Sequence, residues 1–359
     1  MSVRNSNVQI SVLKGIGIIS IVLGHTAFFS VKYVYMYHLA LFFFVSGFLY
    51  NEDKYGNNVS ALFAARMHSV MPQYLTYSIL FLSIRNWMIK NNLYNESVEM
   101  LSKRDFVQNF STATFFASGE YVGSAFWFLP VLITANVIFG SIIVLSNHFD
   151  SKYKLFVRYM GFVIVGAIGV LFIQKEIFLT FHYEEVLLVV PILALGQMYK
   201  VYKEKFDKIN NWIIAGLALF VVIIIPITSG TYIELSMNRI INPFIFYFAT
   251  LCGMIFWVFM STQIVKCKIL ARMLSLCGEY SFDIMALHIL TTKLVDLIYL
   301  SYIDPSAGNK ETFVYSVKEL WPVYLIAGVC GPILFRKTVN RVWKYVVKFL
   351  KGKNVLSNI

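Results

Sequence analysis

The chain has 359 residues, 58% of them hydrophobic and only 14% charged, with a mean hydropathy of +0.66. That balance leaves too little polar surface to solvate a water-soluble core, so it excludes an ordinary soluble enzyme and reads as a polytopic membrane protein. The formal net charge of +12 does not point to nucleic acid, because most of it falls between apolar runs, where membrane lipids with anionic headgroups are the natural partner.

Runs long enough to cross about 30 Å of hydrocarbon, roughly 20 residues each, are expected near Gln9–Phe29, Tyr35–Tyr50, Leu62–Ile84, Ser124–Leu145 and Phe156–Ile173. Five more follow near Glu184–Tyr199, Trp212–Ser229, Asn242–Gln263, Ser281–Leu300 and Trp321–Val339. The expected fold is all-α, with about ten transmembrane helices. Lys14 and His25 interrupt the first run and no small-x-small cleavage site follows it, so it reads as retained. An outer loop at about 85–123 holds the amphipathic stretch Val98–Phe116, and a basic tail at about 336–359 alternates basic and apolar residues, as a helix lying on a membrane surface would. Nothing marks a second domain, so residues 1–359 read as a single integral domain. No inverted repeat of the transporter kind is visible.

Lysine and arginine concentrate in alternate connections, at Lys152, Lys154 and Arg158, then Lys200, Lys203, Lys205 and Lys208, then Lys266, Lys268 and Arg272. The tail adds Arg336, Lys337, Arg341, Lys344, Lys348, Lys351 and Lys353, whereas the short intervening loops hold little beyond Lys32, Lys175 and Arg239. By the positive-inside rule both termini face the cytoplasm. The four cysteines, Cys252, Cys267, Cys277 and Cys330, lack metal-ligand spacing and read as unpaired.

Ionisable groups inside apolar runs are costly unless they face a cavity or a partner. Lys14 and His25 lie eleven residues apart. On a helix this returns to within roughly 20° of the same face with a rise of about 16 Å. His38, at the outer start of the second run, approaches the level of His25. Each has a structural alternative: Lys14 snorkelling to headgroups, His38 as an interfacial residue, His25 bonding a neighbouring helix. Together, on consecutive runs, they favour a site. Asp283 and His288 do not share a helical face; His288 reads as a lining residue, and Lys293 and Asp296 as an i,i+3 pair. Trp127 is either an interfacial belt residue or a platform for a sugar ring. Ser46-Gly47 suits close helix packing or the passage of a thin chain. His68, His148 and His182 carry no such pattern.

Lys14-x10-His25 followed by Tyr37-His38-Leu39-Ala40-Leu41-Phe42-Phe43-Phe44-Val45-Ser46-Gly47-Phe48 resembles the opening of the acyltransferase-3 family of integral membrane acyltransferases. Arg66 with Pro72 and Tyr74 resembles that family's basic motif, Trp127-Phe128-Leu129-Pro130 its Trp-Phe-Leu signature, and Gly278-Glu279-Tyr280-Ser281 through His288 its late Gly-x-x-Ser…His element. The resemblance spans nearly the whole chain, with Lys14 where the family usually carries arginine and Ser69 where it usually carries a second one.

The resemblance implies transfer of an acyl group, usually acetyl, from cytoplasmic acetyl-CoA to a hydroxyl of a cell-surface or lipid-linked glycan across a bacterial inner membrane. On that reading His25 and His38 are the catalytic candidates, His25 as general base or transient acyl acceptor. Lys14, Arg66, Ser46 and Gly47 would hold acetyl-CoA, and Trp127 and His288 the acceptor. No metal is expected, and no oligomeric state is legible. An exporter of a glycan or small solute, or a transferase of another acyl group such as succinyl, are the alternatives.

Overall fold

The computed structural model describes residues 3–29, 31–95, 97–117, 119–177, 179, 183–228, 233–235, 240 and 242–356, with side chains from residue 7 to 345 and at 347. The chain opens with α1 (Val3–Gly24), α2 (Val31–Val34) and α3 (His38–Phe48), then a short α4 (Glu52–Tyr55) and the long α5 (Val59–Lys90). After α5 come α6 (Lys103–Ala113) and a 3-10 turn at Tyr121–Trp127 that feeds α7 (Phe128–Asn147). Next come α8 (Ser151–Gln174), α9 (Tyr183–Ile209), α10 (Trp212–Thr228), α11 (Pro243–Ile264), α12 (Lys268–Glu279), α13 (Ser281–Tyr302) and α14 (Trp321–Leu356). No strand occurs among the described residues.

The molecule is an all-α, multi-pass membrane protein. Each expected apolar run carries a helix, and among the described residues eight helical spans are long and apolar enough to cross a membrane. The other two runs lie on α5, which carries Arg66, His68 and Arg85, and on α10, which has only 17 residues. Ile213, Leu217 and Phe220 on α10, and Val163 and Leu171 on α8, stand exposed. Their helical spacing gives stripes that suit hydrocarbon rather than water.

Polar starts fix several helices. Asn58 opens α5 by accepting from the Ala61 amide at 2.8 Å. Ser102 and Asp105 form a reciprocal capping box on α6, which occupies the middle of the expected amphipathic stretch. The α3–α9 seam is built on glycine: a Cβ added at Gly47 would stand 1.9 Å from the Leu193 carbonyl oxygen, and one at Gly196 would stand 1.9 Å from that of Phe44. Only residues without a side chain admit backbones this close.

Buried polar contacts gather the basic connections at one end of the bundle, called the inner end below. Arg158 was expected as a loop cation. It is instead buried, and clamps Glu52 of α4 through Nη1 at 3.0 Å and Nη2 at 2.6 Å while Nε donates to Ser146 at 3.0 Å. A guanidinium so placed satisfies its donors bidentately, which a flexible loop cation does not require. Lys200 donates to the Tyr50 carbonyl at 2.7 Å, and Gln9 of α1 reaches Tyr199 and Ser261 at 3.2 and 3.0 Å. The stretch Arg336–Lys353 continues α14 without a break, so the surface helix expected there is not a separate element. His182 and Arg239 lie outside the described residues, as do the side chains of Lys348, Lys351 and Lys353.

Candidate active site

Two cavities stack between α1, α3, α7 and α13. The inner one, of about 310 Å³, takes Lys14 from α1, Ser46 from α3, Arg66 and Gln73 from α5, Asn136 from α7 and Ser281 from α13. The outer one, of about 320 Å³, takes His25, His38 and Tyr35 with Ser124, Trp127 and Glu234. A third hollow of about 320 Å³ opens at the inner end beside Asn51, Lys54 and Tyr55 and shares Leu49 and Arg66 with the inner cavity.

The polar atoms of the inner cavity are partly committed. Ser46 donates to the Asn136 Oδ1 at 2.9 Å, and the Asn136 amide donates to the Leu132 carbonyl at 2.7 Å. The Arg66 Nε is buried without a partner. A buried, unmatched guanidinium N–H in a cavity that also holds Lys14 and Glu279 suits a phosphate or carbonyl oxygen, because each unmade charged hydrogen bond is costly.

Three histidines meet at the outer level. His25 lies just past the end of α1, in a turn closed by its amide on the Val22 carbonyl at 3.0 Å. The helix was expected to run to Phe29. It stops at Gly24 because Thr26 turns its hydroxyl back to the Leu23 carbonyl at 2.9 Å and Tyr35 caps the Gly24 carbonyl at 3.3 Å. The Tyr35 ring in turn lies 4.7 Å from that of His38. The His38 Nδ1 stands 3.1 Å from the Val34 carbonyl. A carbonyl only accepts, so in the neutral ring Nδ1 carries the proton and Nε2 keeps the lone pair. The same holds for His288, whose Nδ1 stands 2.9 Å from the Met285 carbonyl, and whose buried Nε2 has no partner.

The expected site residues thus divide. Lys14, Ser46 and Arg66 line the inner cavity; His25, His38 and Trp127 line the outer one. Gly47 belongs to the α3–α9 seam and not to either cavity wall. His288 lines neither, but its ring centroid lies 5.0 Å from that of His25. Asp283 accepts from Tyr77 and has the Arg336 Nε at 3.7 Å, and Lys293 and Asp296 pair at 3.6 Å. Sequence reasoning overlooked Asn136, although a lone amide in an apolar helix is the same kind of signal that exposed Lys14. Tyr35 had no signal distinguishing it from Tyr33 and Tyr37.

A family model described as an acyltransferase domain matches residues 7–337. The chain belongs to the acyltransferase-3 family. Nothing among the curated proteins matches the chain, and no solved structure does. The acyltransferase-3 motifs acquire physical meaning from the two cavities: the opening motif spans both, and Trp127-Phe128 walls the outer one where the 3-10 turn joins α7. The late element divides its work. Gly278 lets α12 meet the Ser11 carbonyl of α1, Ser281 lines the inner cavity, and His288 backs His25.

Proposed function

We propose that this membrane acyltransferase moves an acetyl group from acetyl-CoA, taken up at the inner end, to a hydroxyl of a cell-surface or lipid-linked glycan at the outer end, in a bacterial inner membrane. One observation carries the reading: α1 presents Lys14 to the inner cavity, and the turn at its end presents His25 to the outer one. A pocket that sets Lys14 and Arg66 against one carboxylate, Glu279, next to an imidazole pocket suits an anionic donor and a neutral hydroxyl acceptor.

Lys14 and Arg66 are suited to the phosphates and amide carbonyls of the donor, and the hollow beside Lys54 and Tyr55 offers its nucleotide end a place at the inner surface. The acceptor hydroxyl oxygen attacks the thioester carbonyl carbon. His25 takes the hydroxyl proton, the new C–O bond forms, the C–S bond breaks, and the thiolate leaves with the proton that His25 returns. His38, with Nδ1–H committed to Val34, offers its Nε2 as an acceptor that orients the same hydroxyl. In the covalent variant of this chemistry the His25 nitrogen attacks the thioester carbon and the C–S bond breaks with the CoA thiolate leaving; the acceptor hydroxyl then attacks the acetyl carbon, the N–C bond breaks, and the hydroxyl proton ends on the thiolate.

The test is release of free CoA by purified protein given acetyl-CoA and glycan extracted from the host cell surface, with mass spectrometry of the glycan to find the added acetyl. His25→Ala should lower turnover by about 10²–10⁴-fold while the protein still elutes as a folded species. Wild-type turnover in that variant would remove His25 from the chemistry. Recovery of an acetylated His25 peptide from quenched reactions would select the covalent route.

A further inference from the structure

The inner and outer cavities share three wall residues: Ile21 of α1, Phe128 of α7 and Met285 of α13. All three are nearly fully buried. They form an apolar septum between the pocket of Lys14 and that of His25. If the donor enters from the inner end, its thioester must cross this septum for the carbonyl carbon to reach the acceptor hydroxyl.

The three side chains differ in how freely they can move aside. Phe128 is held by rings, with the Phe43 centroid at 5.2 Å and the Phe42 centroid at 5.9 Å. Ile21 is β-branched, and a β-branched side chain in a helix has one strongly preferred rotamer. Met285 is unbranched, with three rotatable bonds and a soft thioether that adapts to what it meets. Its backbone is pinned, since its carbonyl oxygen lies 2.9 Å from the His288 Nδ1 and accepts that proton.

We propose that Met285 is the gate between donor and acceptor cavities, working against Ile21 and Phe128 as fixed sides, and that the opening it leaves sets the size of acyl group delivered to His25. This rests on the donor entering at the inner end. Closed, the apolar septum denies water and ions a path through the protein, as hydrophobic constrictions do in channels. Open, it admits a linear chain tipped by a small acyl group. Each added methylene must fit the same gap, which makes the septum the place where acetyl is told from longer acyl groups.

Purified protein in nanodiscs, host-surface glycan as acceptor, and acetyl-, propionyl- and butyryl-CoA as donors provide the test. Met285→Ala should raise the butyryl-to-acetyl ratio of kcat/KM by about tenfold or more, the scale on which a pocket senses one or two methylenes. Met285→Trp should cut kcat for acetyl transfer by about tenfold while KM for acetyl-CoA moves by less than about threefold, the signature of blocked delivery rather than lost binding. An unchanged donor ratio in Met285→Ala, or wild-type kcat in a folded Met285→Trp, overturns the gate and leaves the acetyltransferase reading standing. No CoA release from the unmodified protein with any donor overturns both.

Discussion

Tyr35 connects two of the three histidines through one side chain. Its hydroxyl donates to the Gly24 carbonyl, at the turn that carries His25, and its ring lies against His38. Neither role is chemical, and Tyr35→Phe keeps the ring while it removes the hydroxyl's bond to the turn. A net hydrogen bond contributes about 1 kcal/mol, which corresponds to roughly fivefold in rate if all of it serves to position His25. Steady-state kinetics should therefore show kcat lowered by about that factor with the fold intact, and a kcat equal to wild type would mean that the turn holds without Tyr35. At this scale the sequence exposed the charged and imidazole groups, because polarity in hydrocarbon is conspicuous. It concealed Met285, one apolar residue among many, whose place between the cavities depends on how the helices meet.

At the scale of elements, the cavities are held open by seams and clamps elsewhere. The α3–α9 seam sets where Ser46 and His38 stand, since Gly47 lies on the same helix between them and the end of α3. Gly47→Ala places a methyl group against the Leu193 carbonyl, and overpacking of this kind costs about 1–3 kcal/mol. The thermal midpoint of the purified protein should fall, whereas Gly216→Ala on α10, where an added Cβ meets nothing within 4 Å and alanine favours the helix, should not lower it. Equal midpoints would show that the two helices part freely. At the inner end, the clamp of Glu52 by Arg158 makes a second, pH-dependent contribution. Burial alone would raise the Glu52 carboxyl above its ordinary value of 4.5, but hydrogen bonds and charge from Arg158, helped by Lys154, outweigh this and hold it below. A carboxyl depressed in the folded state stabilises the protein above its unfolded pKa and loses that contribution as pH falls through the folded value. Glu52→Gln should accordingly melt below wild type at neutral pH, and the two should converge as the pH drops below 4.5. A gap that persists at low pH would mean that shape, not charge, holds α4.

For the whole molecule, hydropathy told most of the fold because a bilayer demands long apolar stretches and leaves few other ways to satisfy the backbone. Helix ends were less legible, as at Gly24, where a tyrosine from the next segment decides the stop. The unbroken α14 was hidden for a related reason, since a change from apolar to basic composition does not by itself end a helix. Which side the donor approaches from follows from orientation, and orientation rests on where lysine and arginine gather. Cys267 can report it. This thiol is exposed at the start of α12, beside Lys266 and Lys268, in one of the basic connections. In a variant whose other three cysteines are replaced by alanine, a membrane-impermeant maleimide should label Cys267 in inside-out vesicles and leave right-side-out vesicles unlabelled. The reverse pattern would turn the protein over. Lys14 and Arg66 would then open to the outside, where no CoA is supplied, and the acetyl-CoA reading would fail with the topology.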